Sequence, residues 1–597
     1  MGISDLKGLS SNRDRRHSFD LSSHSPFDLP YKTLREALWA APRDKPFATM
    51  WQGEDDVQSV NFGEFTALAE TQAAYLQQQG LSAGDTIVLI MPQGIPLMAS
   101  FAAAMYLGAI PAILAYPNFK VEPAKYRAGL TAVTANLKAR LVMLDEEFPQ
   151  ELLGHVTLGE FSKLVRYEKG ASRERAQPAP TTDPAEVAFI QHSAGTTGLQ
   201  KGVALSHSAV LQHLARLAPA LMLRSDDRIY SWLPLYHDMG LIACFILPMV
   251  CHVPVIMQSP TDWVLQPATM LQIISEYRCT LGWIPNFAFN FLARRAHPET
   301  GAAYDLSSVR ALINCAEPVR ASSLDEFRSA FSRYGLRASA LQSSYAMAET
   351  VFAVTQSALD VANGPVRVWV DSEIFRRECT AVPAESSNPR AACYVSSGKC
   401  LPGTSVRVVS ETGQDLPDGG LGEILIQSDS MLSGYYNRPD LTAQALRDGW
   451  YCSGDLGFVL DGEVFVVGRQ KDLIIVAGEN IHPHDVEEIV SSHPLIHEGR
   501  VVAFGLHNPE LGTQEIVIVA EVLEEENLTN SLAIEQDLRN AVTGELGVSA
   551  RLIYLKPPRW IVKSTAGKPA RSTTREKLLA EHSELEFDSL KKKGVHA

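Results

Sequence analysis

The stretch of this chain best suited to hold an anion is His192-Ser193-Ala194-Gly195-Thr196-Thr197-Gly198-Leu199-Gln200-Lys201-Gly202. Its glycines let the backbone turn N–H groups towards a phosphate, its Ser and Thr hydroxyls add donors, and Lys201 adds a positive charge. Such a design suits a triphosphate. G-x-x-x-x-G-K-[ST] cannot be laid over it, so it is not the common P-loop. Alone, a Gly/Thr loop with one lysine is more often an ordinary turn. A second candidate lies near the C-terminus, where Val562-Lys563-Ser564-Thr565-Ala566-Gly567-Lys568 would present a long cation on a small-residue loop able to enter a cleft and withdraw. Taken singly, that lysine reads as solvated surface. His482, His484 and Asp485 could suggest a metal, but Pro483 and the local composition favour a plain loop.

These loops need a scaffold, and the first third of the chain has the rhythm of a βαβ protein. Phe65, Leu68, Ala69 and Leu76 recur at helical spacing, Gly80 closes that helix, and Thr86 to Ile90 follows as a buried strand. The alternation continues through Leu141 to Leu144 and predicts a parallel sheet covered on both faces. Ile95 to Tyr116 is uncharged, yet Pro96, Gly108 and Pro111 break it; a buried helix (97–107) feeding a buried strand (110–115) explains it better than a membrane span. Ala176 to Ala185 reads as a surface linker before the strand Val187 to Gln191, the anion loop, and a helix from about Ser206 to Leu217.

Composition narrows the classes further. Over 597 residues, 46% hydrophobic and 20% charged residues exclude disorder as the general state. A net charge of −15 gives no basic footprint for a nucleic-acid backbone. Eight cysteines without a C-x-x-C pair suit a reducing cytoplasm better than a disulfide scaffold. The polar N-terminus lacks the apolar core of a signal peptide, and Gly2 with Leu6 is a poor myristoylation match.

The anion loop resembles the phosphate loop of the adenylate-forming (acyl-CoA synthetase-like, AMP-binding) superfamily, T-S-G-[ST]-T-G-x-P-K-G, with Ser193, Ala194 and Gln200 as departures. Six further stretches resemble the same superfamily in its order: Trp232-Leu233-Pro234-Leu235-Tyr236-His237-Asp238-Met239-Gly240, Asn314-Cys315-Ala316-Glu317-Pro318-Val319, Ser344-Tyr345-Ala346-Met347-Ala348-Glu349-Thr350, Gly449-Trp450-Tyr451-Cys452-Ser453-Gly454-Asp455-Leu456-Gly457, Gly468-Arg469-Gln470-Lys471-Asp472, and the loop ending at Lys568. The resemblance implies an ATP site on Ser193, Gly195, Thr196, Thr197, Gly198, Lys201, Ala316, Glu317, Tyr345, Asp455 and Arg469. It implies Mg²⁺ on Glu349 and Thr196, a hinge at Lys471, and Lys568 and His237 as catalytic residues. Tyr345 would stack on adenine, and Asp455, at a Gly turn, would accept the ribose hydroxyls. A buried core histidine is the plainer reading of His237.

The implied fold is α/β: a large N-terminal lobe of layered sheets plus a distorted β-barrel (31–468, after a flexible arm, 1–30), then a smaller mobile α+β lobe (469–597). Glu349 to Gly403 is longer than expected for acyl-CoA ligases. It holds an alternating strand (366–371) and a polar loop through Asn388, which looks like the insertion of fatty acyl-AMP ligases, at about 360–395. A surface hairpin is the alternative. With that insertion, the expected activity is ATP-dependent conversion of a carboxylic acid, a fatty acid first, to acyl-AMP, then transfer to a separate acyl carrier protein. An acyl-CoA ligase and a non-catalytic nucleotide-binding homologue stand as alternatives. Asp588-Ser589-Leu590 spells a phosphopantetheine triplet without the helices of a carrier, so the carrier is expected in trans. Leu241 to Met257 is expected to help line the acyl pocket.

Overall fold

The structure, a computed structural model, describes residues 17–18, 29–53, 55–117, 123–169, 176–179, 182–192, 200–296, 304–359, 361–476, 479–508, 512–563, 568–582 and 585. Two seven-stranded sheets form its larger part. In the first, Ile110–Ile113, Thr86–Ile90, Leu141–Leu144 and Lys163–Arg166 run parallel, and Ile110–Ile113 also pairs in parallel with Val187–His192. The second has Val255–Gln258, Ile229–Ser231, Leu281–Ile284, Ala311–Asn314 and Leu341–Ser343 in parallel, with Pro46–Trp51 and an antiparallel edge at Val57–Asn61. The short, buried, mostly apolar central strands are what a sheet covered on both faces requires. Helices such as Phe62–Gln78 and Ile95–Tyr106 lie in the one large core that joins both sheets. Ile95–Tyr106 and Ile110–Ile113 thus account for the uncharged run as buried helix and strand. No helix among the described residues is long and apolar enough to cross a membrane.

Sequence periodicity placed Phe62–Gln78 well: Asn61 and Glu64 close a reciprocal capping box at its start, and Gly80, at φ +95°, follows its end. Leu68, however, is 45% exposed and faces away from the core. A third, antiparallel sheet of Thr404–Val409, Gly422–Ser428, Trp450–Leu460 and Glu463–Arg469 carries the barrel core; His17–Ser18 pairs onto its edge.

After Arg469 the chain builds an α+β unit: Ile496–Asn508, Thr513–Val522 and Ala550–Lys556 in one sheet, with helices Pro483–Ser491, Ser531–Leu546 and Arg571–Glu581. Its apolar clusters contain only residues beyond Ile474, so it packs on its own core. The segment around His482 and His484 is therefore not a plain loop. It is a helix start, with Pro483 at the first helical position, where its missing N–H costs nothing. Among the described residues no cluster of three or more His, Cys, Asp or Glu is placed to hold a metal.

Three further expectations need correction. The anion loop does not lead from a strand straight into a helix, because Gly202–Ser206 intervenes and pairs antiparallel with Val187–His192. The insertion is more than a strand and a polar loop. Arg367–Asp371 pairs with Ala391–Val395, and between them Ser372–Glu378 forms a helix capped by the Asp371 carboxylate. Phe375 of that helix packs on Phe458 of the barrel sheet at 5.7 Å between centroids. Finally, Asp455 is not at a turn. It lies inside the long strand Trp450–Leu460, where register shifts against Gly422–Ser428 and Gly454, at φ +67°, bends the backbone.

Candidate active site

A cavity of about 2680 Å³ opens between the N-terminal sheets, the barrel and the C-terminal unit. Lys201, Ala316, Glu317, Tyr345, Glu349, Asp455, Arg469, Lys471 and Lys568 all line it. Residues drawn from positions far apart in the chain thus converge on one space. Ser193, Gly195, Thr196, Thr197 and Gly198 lie outside the described residues.

Asp455 is the hub of one corner. The Tyr345 phenol donates to it at 2.6 Å and the Arg469 guanidinium lies 3.2 Å away. Burial pushes the Asp455 carboxyl above its usual range, although Arg469 and Tyr345 oppose this. The same burial, with Asp455 beside it, keeps the Tyr345 phenol protonated and a donor. Lys471 follows two residues after Arg469; burial and Arg469 lower its ammonium.

Glu349 forms the second corner. It follows the strand Leu341–Ser343 in a single helical turn, Ala348–Thr350. That turn ends at Val351, with φ +68° and ψ −58°, where the Phe352 N–H donates back to the Thr350 carbonyl at 2.8 Å. This is a γ-turn of the rare, strained hand at a buried β-branched residue, a conformation that costs on the order of 1–3 kcal/mol and persists only where neighbours enforce it. Glu349 itself is buried, and its carboxylate accepts from the Tyr435 hydroxyl at 2.8 Å. The Lys201 ammonium lies over the Tyr435 ring, 4.7 Å from its centroid.

Ala316 and Lys568 form the third corner. The strand Ala311–Asn314 ends in a bend with Ala316 at φ +72°, and the Lys568 ammonium donates to the Ala316 carbonyl. Lys568 also bears electrostatically on Asp238 and Cys315. The Cys315 thiol is pushed up to about 12, chiefly by burial, so it is inert as a nucleophile. Glu317 turns to the helix Asn286–Arg295, accepting the Phe287 N–H at 2.9 Å.

His237 is not among the residues that line the cavity; its neighbour Tyr236 is. The His237 ring lies 2.7 Å from Asp238. Burial works to raise the Asp238 carboxyl, but His237, the Met239 N–H and Lys568 outweigh it and hold it below the usual range. Gly240 ends this segment by necessity, since a Cβ there would stand 2.3 Å from the Pro234 carbonyl oxygen. The apolar run 241–257 does not line the cavity either. Its side chains fill the core, and the apolar wall is aromatic instead: Trp232 and Trp263 stack at 3.8 Å with planes 2° apart, flanked by Phe287 and Phe291.

Sequence reasoning missed Tyr435, whose only signal was an aromatic doublet after a glycine. His192, which opens the anion-loop stretch, has both ring nitrogens buried without a partner among the described residues. Burial lowers the His192 imidazole to about 4, so it is neutral.

Comparison with known proteins agrees with this geometry. The family described as AMP-binding enzyme matches residues 35–436, and the chain belongs to that family. Within it the chain stands close to fatty acyl-AMP ligases. It is 29% identical to the medium-chain-fatty-acid–[acyl-carrier-protein] ligase JamA of Moorena producens, over 90% of this chain and 92% of that one. It is 27% identical to the long-chain-fatty-acid–AMP ligase FadD32 of Mycolicibacterium smegmatis, over 87% and 88%. A solved structure from work on fatty acyl-adenylate ligases of E. coli and L. pneumophila superposes with a TM-score of 0.84 at 27% identity, covering 93% of this chain and 98% of that one.

Proposed function

We propose that this chain converts a fatty acid to acyl-AMP with release of pyrophosphate and passes the acyl group to the phosphopantetheine thiol of a separate acyl carrier protein. The observation that carries the reading is the convergence of Lys201, Glu349, Asp455, Arg469 and Lys568, from both lobes, on one cavity. The carboxylate oxygen attacks the α-phosphorus of ATP, the bond to the β-phosphate oxygen breaks, and pyrophosphate leaves. The carboxylate is already a nucleophile, so the protein's task is to position two anions and offset their repulsion. Lys568 enters the cavity between lobes and suits that role; Asp455 and Arg469 would hold the ribose, and the anion loop with Lys201 the outer phosphates. The acyl chain would lie along the Trp232, Trp263 and Phe287 wall.

Glu349 offers one hard oxygen at the cavity surface, and Mg²⁺ commonly takes one or two carboxylates with phosphates and water, so the donor set fits that ion, with Thr196 as the second proposed ligand. When bound, Mg²⁺ would neutralise phosphate charge. In the second half-reaction the thiol sulfur attacks the acyl carbonyl, AMP departs, and the thiol proton goes to solvent. A carrier-protein acceptor is supported by the insertion, which touches the C-terminal unit just past the proposed hinge at Lys471: Asn480 donates to the Cys379 sulfur at 3.3 Å, and Phe375 lies 6.5 Å from the His482 ring. Rotation wide enough to admit coenzyme A would have to peel this contact apart. A reducing cytoplasm is the proposed compartment, since all eight cysteines are thiols.

The test is Lys568→Ala in a pyrophosphate-release assay with fatty acids of graded length. Loss of an aimed cation should cost about 2.7–4 kcal/mol, a rate loss on the order of 10²–10³. Transfer from preformed acyl-AMP to a carrier protein should survive. Near-full adenylation by the variant would remove Lys568 from the reaction, and turnover with coenzyme A matching that with carrier would remove the acceptor assignment.

A further inference from the structure

The segment 432–436 ties two phosphate-side elements together from behind the cavity wall. Its backbone bonds both. The Leu432 N–H donates to the Glu349 carbonyl at 2.8 Å, the Ser433 N–H to Ala204 at 2.9 Å, and the Tyr436 N–H to Gly202 at 2.7 Å. Gly434 and Tyr435 pair antiparallel with Ala204 and Val203, on the strand that leaves the anion loop two residues after Lys201. The Tyr435 side chain then repeats the link: its hydroxyl is 2.8 Å from the Glu349 carboxylate, and its ring face carries the Lys201 ammonium. Its own N–H is held by the Thr442 hydroxyl at 2.9 Å, and its hydroxyl lies 3.3 Å from that of Tyr451. Tyr435 is almost fully buried and does not line the cavity, whereas Lys201, Glu349 and Tyr451 do.

We infer that Tyr435 is a positioning residue that aims the Glu349 carboxylate and the Lys201 ammonium at one polyphosphate. One side chain touches both groups. Glu349 stands just before the strained turn at Val351, which neighbours must enforce, and Lys201 stands on a flexible four-carbon stem beside a glycine. One rigid phenol serves both: its O–H bonds a Glu349 carboxylate oxygen, beside the Tyr451 hydroxyl that engages the same carboxylate, and its π face attracts the cation. The consequence is a division of labour within one side chain. The hydroxyl acts on whatever Glu349 holds; the ring acts on Lys201.

This rests on the adenylating reading, and two variants separate its parts. Tyr435→Phe keeps the ring and loses the hydroxyl; Tyr435→Leu loses both. ATP binding is measured by titration calorimetry with Mg²⁺ and again with EDTA, alongside a thermal melt and the kcat and KM(ATP) of pyrophosphate release. The phenylalanine variant should weaken ATP binding about ten-fold with Mg²⁺ and little with EDTA. The leucine variant should weaken it in both arms, with a further loss of about three-fold in EDTA. If the leucine variant does not fold, the phenylalanine variant decides alone. Equal losses in both arms, or no loss, overturn the assignment of Tyr435 while leaving the adenylating reading intact. A wild-type chain that binds no ATP in either arm overturns both.

Discussion

Ala316 holds its backbone at φ +72°, where an L-residue pays about 1–2 kcal/mol because its Cβ crowds the following carbonyl. The carbonyl that this bend exposes is the one the Lys568 ammonium reaches. Its side chain is a single methyl, so little packing is lost on removing it, while glycine gives back about 0.5–1 kcal/mol in unfolded-chain entropy. Ala316→Gly should therefore stabilise the fold by about 0.5 kcal/mol or slightly more and leave adenylation within two-fold of wild type. Urea denaturation beside pyrophosphate release checks both, and a net destabilisation would show that the bend is not strained. At this scale the sequence was readable in residue type and less so in role. Cys315, within one of the resembling stretches, is an inert buried thiol, and the strain falls on its neighbour. Tyr345, Glu349, Asp455 and Lys568, singled out by motifs in order along the chain, line one cavity. Tyr435 escaped because its chemistry depends on a strand pairing across more than two hundred residues, which no local pattern encodes.

The helices Pro483–Ser491 and Arg571–Glu581 are joined by one polar knot at the cavity edge. Arg571 donates to both Glu487 oxygens at 2.7 and 2.9 Å and to Asp472 at 2.8 Å, and the Glu487 carboxylate also accepts the Ala503 N–H at 2.9 Å. Burial alone would raise Glu487, but Arg571, His484 and the Ala503 N–H overcome it and bring the carboxyl from 4.5 down to about 2. A depressed carboxylate gives stability that is complete above its unfolded value and fades as pH falls from about 4.5 through about 2. Glu487→Gln should cost about 1.5–3 kcal/mol at pH 7, since it removes the charge-assisted bonds and leaves Arg571 with Asp472 as its remaining acidic partner, and should flatten that acid limb of the stability profile. Denaturation midpoints of the C-terminal unit from pH 3 to 7 would test it; an unchanged slope in the variant would assign the acid sensitivity elsewhere. This element was misread as a loop because Pro483 and the turn-like composition were taken as breakers, although Pro at the first helical position opens a helix. The insertion helix was missed in the same way, its Asp371 cap lying in plain sight at the end of a strand pattern. The parallel strands, by contrast, were legible because burial on both faces leaves uninterrupted apolar runs.

Across the whole molecule, the described residues where the two lobes meet include a set of charged pairs. Glu498 accepts from Asn290 at 3.0 Å and pairs with Arg294, while Arg320 lies 3.1 Å from Asp485 and 3.4 Å from Glu488, and Ser322 donates to Glu488 at 3.0 Å. These contacts hold the arrangement in which Lys568 reaches Ala316. They are partly exposed, so each is worth roughly 0.2–1 kcal/mol and weakens with salt. That is the right size for a hold that must be released each turnover: strong enough to bias the lobes, weak enough to yield to binding energy. An apolar interface of similar extent would lock them. Glu488→Gln with Glu498→Gln removes two of the three acidic partners, leaving Asp485, without touching the cavity lysine, and should cut the bias by about 1 kcal/mol, a factor of about five. The expected result is asymmetric. Adenylation measured by pyrophosphate release should fall about five-fold and lose its salt sensitivity, while acyl transfer from preformed acyl-AMP to a carrier protein should hold steady or rise. Equal slowing of both half-reactions would mean that the charges merely stabilise the fold, and that the orientation of the lobes is set by something other than these pairs.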